Sequence, residues 1–253
     1  MSTTDPSFSL TTSLSYSPSR SSEPFSLLPR HFSRLRTAHA RLAKELPECW
    51  CARTAMPTDD EMQIELKWAV QEAKTKGNEG DLRIRLNITE AGEPFAETFP
   101  LVPMPSYPVR LVIVDRPTDY NDPFLRSKTT RREKYDEARA RLGATLHPSP
   151  DPSAPPFDVV LFNSAGEVTE TTIANIAFRF SSSSTDPFIT PPSLSGLLEG
   201  VQRAELLEKG EIVERVVKVE EVNRAARAGQ LEVICFNGVR GVFRASIFGE
   251  NGI

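Results

Sequence analysis

The chain has 253 residues, 39% of them hydrophobic and 25% charged, with a formal net charge of −4. This is the make-up of a folded, soluble protein with one large or two modest cores, and it excludes a nucleic-acid footprint, because the most basic run, residues 126–134, carries Glu133 and leads into Asp136 and Glu137. Three cysteines (Cys49, Cys51 and Cys235) without clustered histidines point away from both a disulfide framework and a zinc site, so no metal is expected. No apolar run approaches the ~20 residues of a membrane helix, and no membrane partner is expected. Asp5 and the scarcity of early arginines speak against a transit peptide. A reducing, cytoplasmic setting is the expectation.

In chain order, "FSLTTSLSY" (8–16) alternates weakly and reads as a strand, followed by a turn-rich loop at 17–24. Phe32, Leu35, Leu42 and Leu46 have helical spacing, with Pro29 near the helix start and Pro47 at its end. Thr58 and Glu61 form a capping box for a second helix, whose apolar face is Met62, Leu66, Ala69, Val70 and Ala73. "LRIRLNI" (82–88) alternates cleanly and "VRLVIV" (109–114) is a further strand. Residues 1–114 therefore read as a small α/β domain, 115–125 as an interdomain loop and 126–253 as a second domain.

In that second domain Thr130 and Glu133 suggest another capping box, for a helix ending near Gly143. The stretch 147–156 is a proline-rich loop. Strands follow at "DVVLFN", "EVTETTIANIAFRF" and "PFIT". A helix runs between Gly200 and Gly210, then "EIVERVVKV" reads as a strand before a short helix near 220–228. "LEVICFN" and "VFRASI" close the chain as a strand pair.

Four stretches can carry chemistry. Lys128, read alone, is one more solvated lysine; covalent chemistry would need a lowered pKa, which Arg126, Arg131 and Arg132 could supply. Glu170 is a carboxylate inside a Thr-rich strand, a place that calls for a cationic partner. Gly200-Val201-Gln202 opens a helix whose first amides can hold phosphate, or is an ordinary glycine turn. Asn237-Gly238 signals a hairpin, and its backbone can also cradle an anion.

Taken in order, "KTTRREKYDEAR", "GEVTETTIANI", "TPPSLSGLLEGVQRAELLEKGEIVERVV" and "FNGVRG" resemble the class IV (fold-type IV) pyridoxal-phosphate enzymes. The resemblance runs from about Phe8 to Ile247 and is nearest to 4-amino-4-deoxychorismate lyase, as in the lyase domains fused to aminodeoxychorismate synthase. It implies an α/β (α+β) fold of two domains, a small N-terminal α/β domain and a strand-rich C-terminal pseudo-barrel, with pyridoxal 5'-phosphate at their interface, in a homodimer. It makes Lys128 the lysine that binds the cofactor and moves the substrate proton. Glu170 becomes the partner of the pyridine nitrogen and Arg34 the phosphate clamp. Val201, Gln202, Asn237 and Gly238 complete the phosphate cup, and Asn175 lies near the cofactor. Gln202 and Gly238 stand where relatives often carry hydroxyl residues. Thr11 and Thr12 fall where the lyase branch places polar active-site residues.

From the residues themselves, Arg83 and Arg85 share a strand face and Arg240 adjoins the phosphate turn, so a substrate carboxylate could meet one of them; a solvated strand face is the alternative. The implied reaction releases pyruvate to give 4-aminobenzoate, for folate synthesis. The alternative is a transaminase for D-amino acids, branched-chain amino acids or (R)-amines. A relative that has lost turnover is the third reading, against which Lys128 and Glu170 both stand.

Overall fold

A computed structural model describes residues 7–118, 122–180 and 185–248. The chain divides into two compact units: Met1–Val102 with Pro123–Arg131, and Pro103–Asp122 with Arg132–Ile253. Parts of the predicted loop 115–125 and of the predicted second domain, at 119–121, 181–184 and 249–253, lie outside the described residues.

The first unit is an antiparallel sheet of β1 (Leu10–Tyr16), β2 (Leu82–Ile88) and β3 (Pro94–Pro100), in that order. Leu82, Ile84, Leu86 and Ile88 are all 2% exposed or less, as their alternation requires. Opposite them in register stand Tyr16, Leu14, Thr12 and Leu10. Two helices cover this face. In α1 (Leu28–Glu45) the buried side is His31, Phe32, Leu35, Ala38 and Leu42. In α2 (Asp59–Thr75) it is Met62, Leu66, Ala69, Val70 and Ala73, the side read from the sequence. The Thr58–Glu61 capping box is formed in both directions. β3 escaped the sequence reading because proline stands at both its ends, which suits only an edge strand.

The second unit is built on an eight-stranded sheet. In chain order it contains β4 (Val109–Ile113), the single helical turn α3 (Pro123–Arg126, which belongs to the first unit), α4 (Glu133–Leu142), β5 (Asp158–Phe162), β6 (Val168–Thr171), β7 (Asn175–Arg179), β8 (Phe188–Thr190), α5 (Val201–Glu208), β9 (Ile212–Glu214), α6 (Val219–Arg227), β10 (Glu232–Asn237) and β11 (Gly241–Phe248). The strand order is β6-β5-β4-β11-β10-β7-β8-β9. Phe157, Val160, Ile176, Phe178 and Phe243 are among the side chains of its core.

Several boundaries differ from those expected. β4 does not belong with the N-terminal sheet: it pairs parallel with both β5 and β11, inside the second sheet. An apolar run announces a strand but not its neighbours. Conversely, residues 123–131 belong to the first unit, where Thr129 bridges Leu10 and the Thr11 amide donates to the Lys128 carbonyl at 3.0 Å. The capping box expected at Thr130 is not made. Arg132 is the N-cap, without a side-chain cap, and the Thr130 hydroxyl accepts the Ser9 amide instead. Of "EIVERVVKV" only Ile212–Glu214 is strand, followed by an isolated bridge at Lys218. Among the described residues no helix is long and apolar enough to cross a membrane, and no cluster of ligating side chains could hold a metal.

The reciprocal cap on α2 satisfies two otherwise orphaned amides. Thr58→Ala is expected to cost about 1 kcal/mol, a fall in Tm of about 2–4 °C, read by thermal unfolding.

Candidate active site

Glu170 lies on β6 and is 3% exposed. Its oxygens meet donors from three elements of the second unit, among them Tyr135 Oη, from α4, which donates to Oε1 at 2.8 Å. The Leu198 amide donates to the same oxygen at 3.1 Å, and Asn175 Nδ2 to Oε2 at 3.3 Å. Asn175 Nδ2 also donates to the Leu198 carbonyl at 2.8 Å, so one side chain ties β7 to the loop before α5. Such donors suit an ionised carboxylate, and a buried carboxylate favours a cationic ligand. A protonated pyridine nitrogen is one such cation, so Glu170 fits the role the resemblance gave it.

Tyr135 and the Leu198 amide were not foreseen. Tyr135 stands in the quoted stretch "KTTRREKYDEAR", seven residues after Lys128. A buried tyrosine usually seeks a partner for its hydroxyl, and that was the available signal. Arg132 stacks on the Tyr135 ring at 4.9 Å and donates to the Thr172 carbonyl at 2.7 Å. The Thr172 hydroxyl in turn donates to Asp158, a fully buried residue whose carboxyl is pushed above its usual pKa, chiefly by burial. The strands beside Glu170 are thus held from beneath by polar contacts.

Gly200 is the N-cap of α5, and Val201 and Gln202 open its first turn. That turn contains no acidic residue, and glycine offers no side chain to cap it. Its amides therefore remain suited to an anion. A Cβ built on Gly200 would come 2.0 Å from Asn175 Oδ1, so only glycine lets helix and asparagine approach this closely. At the β10–β11 turn Asn237 faces Gly241 across the ladder. The intervening loop has three residues, and the left-handed residue is Gly241, at φ 62°, rather than Gly238. Asn237 Oδ1 accepts the amides of Val239 and Arg240, and its Nδ2 donates to the Ile173 carbonyl. The Asn237 side chain thus builds the turn. Arg240 lies over the Phe157 ring at 5.6 Å.

In the first unit Lys128 is half-buried beside β1. The arginines expected around it are engaged elsewhere: Arg126 pairs with Glu45 at 3.2 Å and Arg131 lies over Phe124 at 4.3 Å. The charges that act together are Arg34 and Lys128, which both press on His31. His31 is 0% exposed, and its pKa is held well below the usual value, first by burial and then by these two cations. Thr12 is buried on the core face of β1, where its hydroxyl accepts from Arg34 Nη2 at 2.6 Å and meets His31 Nδ1 at 2.6 Å. Thr11 Oγ1 reaches the Leu86 carbonyl at 3.5 Å. On the outer face of the sheet Arg83 and Arg85 share the Phe99 ring, at 4.4 and 5.7 Å, and Arg85 also pairs with Glu97 at 3.7 Å.

Comparison with known proteins gives this arrangement a family. The profile described as amino-transferase class IV matches residues 15–247. A candidate aminodeoxychorismate lyase of Schizosaccharomyces pombe is 31% identical over 189 residues, covering 74% of this chain and 70% of that one. Among solved structures, a candidate amino-acid aminotransferase of Mesorhizobium loti superposes with a TM-score of 0.75 at 25% identity, over 95% of this chain and all of that one. A candidate 4-amino-4-deoxychorismate lyase of Legionella pneumophila gives 0.70 at 19% identity, over 97% and 85%. The chain belongs to the class IV aminotransferase family, a family of pyridoxal-phosphate-dependent enzymes, lyases or aminotransferases, and it has the fold of that family.

Gly200→Ala should displace Asn175 from Glu170. The expected result is a loss of about 1–3 kcal/mol from forced repacking, together with weaker cofactor binding. Unchanged melting and unchanged binding would contradict the reading of Gly200.

Proposed function

We propose that this chain is a 4-amino-4-deoxychorismate lyase working with pyridoxal 5'-phosphate, releasing pyruvate and leaving 4-aminobenzoate. The observation that carries this is the curated relative, 31% identical over most of both chains, whose name is that reaction. The donors about Glu170, the glycine-capped start of α5 and the Arg34–Lys128 pair of cations are the residue types the cofactor requires. When bound, the cofactor supplies an electron sink for the carbon beside the substrate amine.

The chain's own residues do the rest. Lys128 would hold the cofactor, and its amine would take the proton from the carbon next to the substrate amine. Glu170 keeps the ring nitrogen protonated, and Tyr135, Asn175 and the Leu198 amide keep Glu170 in place. Arg34 and the amides of Val201 and Gln202 bind the phosphate. The proposed substrate carries carboxylates, and one of Arg83, Arg85 and Arg240 is the cation proposed to meet one of them. The second reading is an aminotransferase, favoured by the Mesorhizobium neighbour. It uses the same cofactor residues and differs in where the proton returns.

Purified protein loaded with the cofactor and given aminodeoxychorismate should release pyruvate and 4-aminobenzoate in equal amounts. Lys128→Ala should abolish this. Keto acid formed from an amine donor, with no pyruvate from aminodeoxychorismate, would establish the aminotransferase instead. One of the variants Arg83→Ala, Arg85→Ala and Arg240→Ala should raise KM about tenfold or more through loss of a charged contact. If all three leave KM unchanged, the carboxylate assignment is wrong.

A further inference from the structure

Thr12 is an unusual residue for its place. It lies at 0% exposure on the face of β1 that otherwise presents Leu10, Leu14 and Tyr16, so its hydroxyl must find partners inside the protein. It finds two, both from α1. Arg34 Nη2 is at 2.6 Å and His31 Nδ1 at 2.6 Å. His31 and Arg34 are three residues apart on one helix, so both side chains reach the same point on the strand.

The proton inventory makes this an ordered chain. A guanidinium only donates, so Arg34 occupies one lone pair of the Thr12 hydroxyl. Thr12 retains one proton and one lone pair, and His31 Nδ1 takes up one of them. The second ring nitrogen, Nε2, is buried and has no hydrogen-bond partner among the described residues. An apolar pair would fill the same space without an unsatisfied buried atom. The polar pair therefore lacks a justification in stability, and it has one in orientation. Burial and the charges of Arg34 and Lys128 keep the imidazole neutral, so it adds no third cation here.

We propose that His31 is a positioning residue: acting through the Thr12 hydroxyl, it sets the plane of the Arg34 guanidinium for the phosphate of the cofactor. A planar fork binds phosphate well only when its plane is fixed. This rests on the pyridoxal-phosphate reading above and deepens it. It also gives Thr12 a role on the phosphate side of the cofactor.

The test separates phosphate binding from everything else. Cofactor-free protein is titrated with pyridoxal 5'-phosphate and, separately, with pyridoxal, which has no phosphate. Attachment to the lysine is followed by visible absorbance. In His31→Phe the Kd for pyridoxal phosphate should rise about tenfold, the worth of one charge-assisted contact, with pyridoxal binding unchanged. In His31→Asn, whose amide reaches the Nδ1 position, the preference for the phosphorylated form should return. If His31→Phe does not fold, Thr12→Val breaks the same link from the strand side and should show the same selective loss. Equal loss for both ligands, or no loss for either, overturns the proposal. Wild-type protein that binds neither ligand sinks the cofactor reading and this relay with it, whereas normal wild-type binding with an unselective His31→Phe sinks the relay alone.

Discussion

Burying a carboxylate is unfavourable unless its oxygens are met, and much of the second unit is arranged to meet those of Glu170. One donor comes from a helix, one from a neighbouring strand and one from a loop amide. Each donor fixes its own element. Tyr135 sets the rotation of α4, Asn175 holds β7 against the loop, and the Leu198 amide fixes the chain just before α5. The start of that helix, with its unused amides, is thereby tied to the same carboxylate. An acid that looks anomalous inside a strand is the point from which the surrounding geometry is set.

The first unit solves the complementary problem of keeping cations in place. Its sheet presents apolar residues to α1 and α2, and Thr12, His31 and Arg34 form a polar insertion in that layer. Lys128 enters beside it because residues 128–130 run along the start of β1 and share backbone bonds with residues 9–11. The lysine is therefore carried by a short strand-like segment rather than a mobile loop.

What the sequence made legible follows from the range of each interaction. The helix faces of α1 and α2, the alternation of β2 and the glycine before α5 are set by neighbours within a few residues, and all were readable. Lys128 and Glu170 were found because their surroundings resemble a family, not because either is distinctive alone. Tyr135 and the Leu198 amide act on a carboxylate 35 and 28 residues away in sequence, and His31 acts through a strand residue outside its own helix, so local pattern does not reveal their roles. Short-range rules also overreached. Thr130 and Glu133 have capping-box spacing, yet Thr130 is used by Ser9. Asn237-Gly238 has the make-up of a two-residue turn, yet Asn237 is the last ladder residue and the loop is the three residues 238–240, closed on Gly241. The strand 109–113 was visible, but its partners were not, since an apolar run carries no address.

The route of the chain has a consequence for its synthesis. β4 stands between β5 and β11, so a strand from the first half of the sequence joins strands from the second. Residues 123–131 then return to the first unit. Neither unit is a continuous stretch of polypeptide. On the ribosome the first unit lacks its last segment until residue 131 has emerged, and the second sheet stays divided at β4 until the last strand is released. Residues 103–122 must wait exposed through most of translation, in the company of unpaired strand edges of the kind that favour aggregation. A chain divided at its midpoint would leave the second sheet without β4 and the first unit without residues 127–131, the segment that carries Lys128.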